Sequence, residues 1–289
     1  MRSEQEMLDL ILYTARQDDC IRAVILSGSR TNPDAPRDCF QDFDIVYVVT
    51  EMTPYVHNLE WIRRFGELMI LQLPDEMADP SPEENYGFCY LMQFMDGNRI
   101  DLTCYPVEKI DEMKWEGFNV VLLDKDGYVS SLIPQGEKTS IPKPPTAKAF
   151  ADCTNEFWWV APYVAKGLWR GEILYARTML DDYMRTQLMK MLYWYVGVKT
   201  DFTGDPGKFG KYLKNFLPGD WWRMLLNTYA DASFDHTWEA LFVMTSLFRE
   251  AAKVVAERFN FEYPEDDDER VSAHLVHVRS LPPDASEIY

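Results

Sequence analysis

Apolar and polar residues recur along the chain with two different periods, and the change from one to the other divides it. Residues 4–17 carry Met7, Leu8, Leu10, Ile11 and Leu12 among polar neighbours, the three- and four-residue spacing of an amphipathic helix. The run from Ile21 to Leu26 is apolar and β-favouring, and it stops at Ser27-Gly28-Ser29. Asn32, Pro33, Asp34 and Pro36 then act as breakers. Asp42 to Thr50, DFDIVYVVT, is the strongest strand pattern in the chain. A helix over 56–66, a strand over 67–73 and a Pro- and acid-rich loop from Asp75 to Glu84 follow. Gly87 to Met95 and Asn98 to Tyr105 read as two strands joined at Asp96-Gly97, a hairpin signal. A short helix near 107–113 and a strand at 118–123 complete this half.

Pro142, Pro144 and Pro145 enforce an extended linker, and beyond them the period is helical. Helices are predicted over 150–169, 172–196, 219–230 and 235–259. The last carries Trp238, Leu241, Phe242, Thr245, Phe248, Ala252 and Val255 on one stripe, with Ser233 or Asp235 placed to cap it. Pro162 predicts a kink in the first of them. Glu265 to Glu269 are five consecutive acids, read as a solvated tail without function. The fold class expected is α+β: a domain with a mixed sheet over residues 1–141, then an all-α domain over 142–289.

Composition adds limits. Hydrophobic residues are 47% and aromatics 14% of 289 residues, enough for a substantial core and too many for disorder. No run of about twenty apolar residues suits a membrane span. The first residues lack the basic-then-apolar layout of a signal peptide. Five cysteines without a CxxC spacing read as buried, reduced thiols. A cytoplasmic monomer is expected. The net charge of −18 leaves little from which to build a basic face for nucleic-acid phosphates, and it attracts metals, polyamines or polycationic small molecules.

One constellation carries chemistry. Ser27-Gly28-Ser29-Arg30 ends one strand and Asp42-Phe43-Asp44 opens the next. Strand residues two apart share a face, so Asp42 and Asp44 project side by side, in line with Val46 and Val48. Two such carboxylates repel each other and call for a divalent cation or a proton. Oxygen ligands of this kind suit magnesium. Asp101 is a third lone acid, on the strand face opposite Ile100, Leu102 and Cys104. Three carboxylates can hold two metal ions about 3.5–4 Å apart for in-line attack at phosphorus. Gly28 and Ser29 supply backbone N–H groups and a hydroxyl for phosphate oxygens. Arg30 either adds a charge-assisted contact there or pairs structurally with an acid.

The runs GSRTN…FQDFDIVYVVT, DGNRIDLTCYP, LLDKDG at 122–127, PTAKAFADCTNEFWWVAPYVAKGL at 145–168 and EILYARTMLDDYMR at 172–185 resemble the aminoglycoside 6-adenylyltransferases. The likeness extends from the start of the chain to the Tyr263-Pro264 region. It implies a polymerase-β-like nucleotidyltransferase domain and a helical domain, with substrate bound between them. The implied reaction transfers AMP from ATP to the 6-hydroxyl of streptomycin and releases pyrophosphate. Asp42 and Asp44 match the family's metal ligands, and Asp101 its third carboxylate, a ligand or a general base. Ser27 stands where many relatives carry an acid, Pro162 interrupts a helix expected to be continuous in them, and residues 200–211 are only loosely similar.

In the second half, Asp152, Glu156, Asp181 and Asp182 lie on predicted helices and suit the guanidinium groups of streptomycin. Trp158, Trp159 and Tyr163 can stack on such a group, although aromatics at helical spacing more often form core. Lys208 and Lys211 in a Gly-rich stretch can reach ATP phosphates, or be solvated surface. The alternatives are the same chemistry on another aminoglycoside, a lincosamide or a protein side chain, and a binding protein without catalysis.

Overall fold

The computed structural model describes residues 1–77, 86–115, 117–133 and 140–289. Most of the loop expected from Asp75 to Glu84 lies outside the described residues. The chain divides into two compact units, Met1–Thr139 and Ser140–Tyr289.

The first unit opens with helix α1, Glu4–Gln17. Ser3 caps it reciprocally: its hydroxyl accepts from the Glu6 N–H at 3.3 Å, and the Glu6 carboxylate accepts from the Ser3 N–H at 2.7 Å. Six strands follow: β1 Ile21–Ser27, β2 Phe43–Val49, β3 Leu68–Gln72, β4 Phe88–Phe94, β5 Arg99–Pro106 and β6 Val120–Asp124. They form one sheet in the order β3-β4-β5-β2-β1-β6. The β2–β5 pair is parallel and the other pairs are antiparallel, so the sheet is mixed.

Both faces of the central strands are covered, which is why β1 and β2 read as near-continuous apolar runs. On one face Met7, Ile11 and Ala15 of α1 pack on Val24, Phe43, Ile45 and Tyr47. The Tyr47 hydroxyl, buried there, donates to the Ile11 carbonyl at 2.7 Å. On the other, Ala23, Ile25, Val46 and Val48 pack with Tyr105, Ile110 and Val129. The helix expected over 56–66 is shorter: α2, Leu59–Ile62, with a 3₁₀ turn at Arg63–Phe65. Asn58 caps it, accepting from the Trp61 N–H at 3.0 Å.

The second unit is helical throughout: α3 Ala147–Trp169, α4 Ile173–Thr178, α5 Arg185–Thr200, α6 Gly219–Asn227, α7 Phe234–Phe259 and α8 Glu265–Ser280. Helix α3 starts earlier than the apolar pattern suggests because Thr146 caps it, accepting from the Ala149 N–H at 3.1 Å. It runs unbroken through Pro162. The long helix expected over 172–196 is instead α4, a π-helical turn at Met179–Met184, and α5. Ser233, rather than Asp235, caps α7.

The acidic run is not a solvated tail. Glu265, Asp266, Asp267 and Asp268 form the first turn of α8, where negative charge meets the positive end of the helix dipole. Asp268 is buried and accepts two hydrogen bonds from Arg249, each 2.5 Å, and one from the Tyr263 hydroxyl at 2.7 Å. Burial pushes its carboxyl up, but these bonds and one from Ser272 outweigh it and hold it below the usual aspartate range. All five cysteines are free, yet only Cys104 and Cys153 are buried and Cys39 is exposed, contrary to the expectation of buried thiols. Among the described residues no helix is long and apolar enough to cross a membrane.

Candidate active site

The end of β1 turns sharply. Gly28 adopts φ 73°, a left-handed conformation open to glycine, and Gly28–Arg30 form one 3₁₀ turn. Ser27 is the register partner of Asp44 on β2, and Asp44 is the register partner of Asp101 on β5. The strand pairing therefore sets Ser27, Asp44 and Asp101 in one row across three strands, with Gly28 the next residue beyond β1. Asp42 directly precedes β2, two residues before Asp44, and its charge acts on Asp44 from beside the row.

Glycine is required at 28 for room as well as for φ. A β-carbon there would lie 1.9 Å from an Asp44 carboxylate oxygen. Further bonds pin the turn. The Thr31 hydroxyl donates to the Phe118 carbonyl at 2.6 Å, the Ser27 hydroxyl to Asn119 at 2.7 Å, and the Gln41 side-chain amide to the Ser29 carbonyl at 3.1 Å.

Charge crowds this row. Burial, then the charges of Asp101 and Asp42, raise the Asp44 carboxyl to about 6. Burial and Asp101 also raise Asp42, against the attraction of Arg99. Arg99 lies on the same face as Asp101, two residues before it. Its Nε donates to one Asp101 oxygen at 2.7 Å and its Nη2 to the other at 2.8 Å, while Nε stands 3.8 Å from Asp42. Among the described residues no group of three or more His, Cys, Asp or Glu side chains is arranged to hold a metal ion.

The two arginines near the row are held differently. Arg30, expected either at a phosphate or in a structural pair, is buried beneath the turn. It donates to the carbonyls of Asp42 at 3.0 Å and Gln41 at 2.7 Å, pairs with Glu4 at 3.2 Å, and stacks 3.7 Å from the Phe43 ring centre. Its contacts tie α1 to the segment that delivers Asp42. The sequence signal for Arg99 is slight: a basic residue at the same strand parity as Asp101.

The candidates in the second half are spread over the helical unit. Trp158 is in its interior, 2% exposed, edge-on to Phe157 and Phe248, whereas Trp159 beside it is 63% exposed. Asp181 sits on the π-helical turn and pairs with Arg177 and Arg185, both at 2.7 Å. Asp182 is exposed and Glu156 half-buried. Lys208 and Lys211 are exposed on either side of Phe209, which holds φ 56° and is 87% exposed. A bulky residue at positive φ is rare, and nothing in the sequence pattern signals it.

Comparison with known proteins settles the family. A family profile described as "Streptomycin adenylyltransferase" matches residues 1–278. The chain belongs to that family. It is 42% identical over 281 residues to an aminoglycoside 6-adenylyltransferase of Campylobacter jejuni, covering 96% of each chain. With a Bacillus subtilis (strain 168) protein of the same name the identity is 38% over 270 residues, 93% of this chain and 95% of the other. A Staphylococcus aureus relative of that name is 34% identical over 266 residues, 91% and 94% respectively. A crystal structure of an aminoglycoside 6-adenyltransferase from Bacillus subtilis is matched over 97% of this chain and 100% of that one, at 34% identity and a TM-score of 0.48. This family member is thus a nucleotidyltransferase of the aminoglycoside-adenylylating kind.

Proposed function

We propose that this chain transfers AMP from ATP to the 6-hydroxyl of streptomycin, and that Asp42, Asp44 and Asp101 hold the magnesium this needs. The observation that carries the reading is the register pairing of Asp44 with Asp101, with Asp42 two residues before Asp44, just ahead of β2. The donor chemistry suits the ion, hard carboxylate oxygens whose burial and crowding raise Asp44 and favour a divalent partner, although with Arg99 on both Asp101 oxygens the three side chains do not converge as a ready-made metal site. Bound there, magnesium supplies Lewis-acid polarisation of the phosphate and lowers the pKa of the attacking hydroxyl.

The protein's own groups do the rest. Gly28 and Ser29, at the turn beside Asp44, offer N–H groups and a hydroxyl to the triphosphate. Asp101 is placed to take the proton of the acceptor hydroxyl or to serve as a ligand. The hydroxyl oxygen bonds to the α-phosphorus, the bond to the bridging oxygen breaks, and pyrophosphate leaves. Arg30 acts through position, holding the carbonyls of Gln41 and Asp42.

In this reading residues 1–141 form the catalytic domain and 142–289 the substrate-binding domain of a cytoplasmic monomer. Glu156, Asp181 and Asp182 meet the cationic antibiotic, and Lys208 and Lys211 meet nucleotide phosphates. The net charge of −18 favours a polycationic acceptor over a polyanionic one. Trp158 is left as core, and Trp159 is the tryptophan exposed enough to stack on a guanidinium. The test is pyrophosphate release from purified protein given ATP, magnesium and a panel of aminoglycosides. Turnover with streptomycin is expected; turnover only with another compound would displace the acceptor and leave the chemistry.

A further inference from the structure

The carboxylate row already has a cation, supplied by the chain. Arg99 places two guanidinium N–H groups on the two oxygens of Asp101, at 2.7 and 2.8 Å, and stands 3.8 Å from Asp42. Both Asp101 oxygens are thereby engaged in charge-assisted bonds. The fork takes two of the carboxylate's about four lone-pair sites and sets a positive charge beside the rest, so at Asp101 a guanidinium in this pose and a metal ion repel and compete. Burial is what separates Arg99 from Arg30. The Arg30 side chain is 6% exposed and fixed by two carbonyls, Glu4 and the Phe43 ring. The Arg99 side chain is 38% exposed, and the contacts of its guanidinium are with Asp101 and Asp42. One arginine is built in; the other is partly exposed and held by carboxylates alone among the described contacts.

We propose that Arg99 is a displaceable internal cation: it holds Asp101 in the free protein, yields that carboxylate to the metal, and then turns its freed guanidinium to the triphosphate that accompanies the ion. The inference rests on the metal reading given above. It assigns Arg99 two opposed effects. Without nucleotide, Arg99 weakens metal binding by occupying a ligand. With nucleotide, it strengthens binding by meeting a phosphate, a role for which a planar fork of donors is suited.

The test is a calorimetric titration of Mn²⁺ into the nucleotide-free protein, and of Mn²⁺ with a non-hydrolysable ATP analogue, for wild type, Arg99→Met, Arg99→Lys and Asp44→Asn. In Arg99→Met the affinity for Mn²⁺ alone should rise about tenfold, and that for the Mn²⁺–nucleotide pair should fall by a similar factor. Arg99→Lys, which keeps the charge without the fork, should move both in the same directions by less, and it carries the test if the methionine variant does not fold. Mn²⁺ binding that Asp44→Asn abolishes but Arg99→Met leaves equal or weaker overturns the proposal while the metal reading stands. If no protein shows Mn²⁺ binding sensitive to Asp44→Asn, the metal reading fails and the proposal with it.

Discussion

Gly28 and Asp44 touch so closely that a single added carbon does not fit between them: a β-carbon at 28 would lie 1.9 Å from an Asp44 carboxylate oxygen and 2.7 Å from its carboxyl carbon. The backbone of the turn is thereby one wall of the carboxylate row. Strand register makes the contact, since Ser27 and Asp44 are partners and Gly28 is the next residue out.

Gly28→Ala should therefore damage both stability and chemistry. Its φ of 73° alone makes alanine unfavourable by about 1 kcal/mol, and the overlap with Asp44 adds to that. A melting temperature lowered by several degrees together with near-complete loss of pyrophosphate release is the expected outcome. Full activity in this variant would mean that the carboxylate can move away without cost.

Asp44→Asn separates charge from shape. The amide fills the same space and removes repulsion from Asp42 and Asp101, so thermal stability should hold or rise. Turnover should fall about a thousandfold or more, the scale expected when a transition-state charge loses its stabilising partner. Calorimetric unfolding and initial rates on one preparation check both halves. Retained activity would refute the metal assignment.

Arg30→Met tests whether this arginine serves the nucleotide or the fold. Its bonds run to the carbonyls of Gln41 and Asp42 and to Glu4, so removing the guanidinium strips buried acceptors of their donors. A loss of about 1.5–3 kcal/mol is expected, with kcat lowered as Asp42 shifts and the KM for ATP little changed. A large rise in KM at unchanged stability would place the guanidinium at the phosphates instead.

Asp268 gives the helical unit an acid limit. Its carboxyl is held below its value in the unfolded chain, about 3.9, so the unfolded state binds the proton more readily. The stabilisation is present at neutral pH and is lost as pH falls from about 4 toward the depressed folded value. Asp268→Asn should cost about 2–3 kcal/mol at pH 7, because Arg249 loses a charged partner, and should flatten the decline in stability below pH 4. Denaturant melts at several pH values measure it; an unchanged acid limb would put the sensitivity elsewhere.

Much of the site was legible along the chain. Gly28, Asp42, Asp44 and Asp101 stand out because strands have a period of two, and a lone acid on an otherwise apolar strand face is costly enough to need a purpose. The order of strands and their pairing partners were not, since register depends on which apolar face finds which. The acidic run from Glu265 to Glu269 shows the same limit: five acids read as solvated until Arg249, sixteen residues before the run begins, supplies the guanidinium that buries Asp268.

By itself the sequence determined the local properties: helical or extended period, the turn at Gly28-Ser29, the cap at Ser233 or Asp235, and which carboxylates are out of place. Those follow from interactions among residues a few positions apart. Only the tertiary structure decided that Asp44 faces Asp101 across a parallel pair, that Arg30 is locked beneath the turn, that Arg99 grips Asp101, and that Trp158 is core while Trp159 is surface. Each of these depends on partners brought together by sheet register or helix packing, and in the sheet a one-residue slip would exchange the buried and the exposed face.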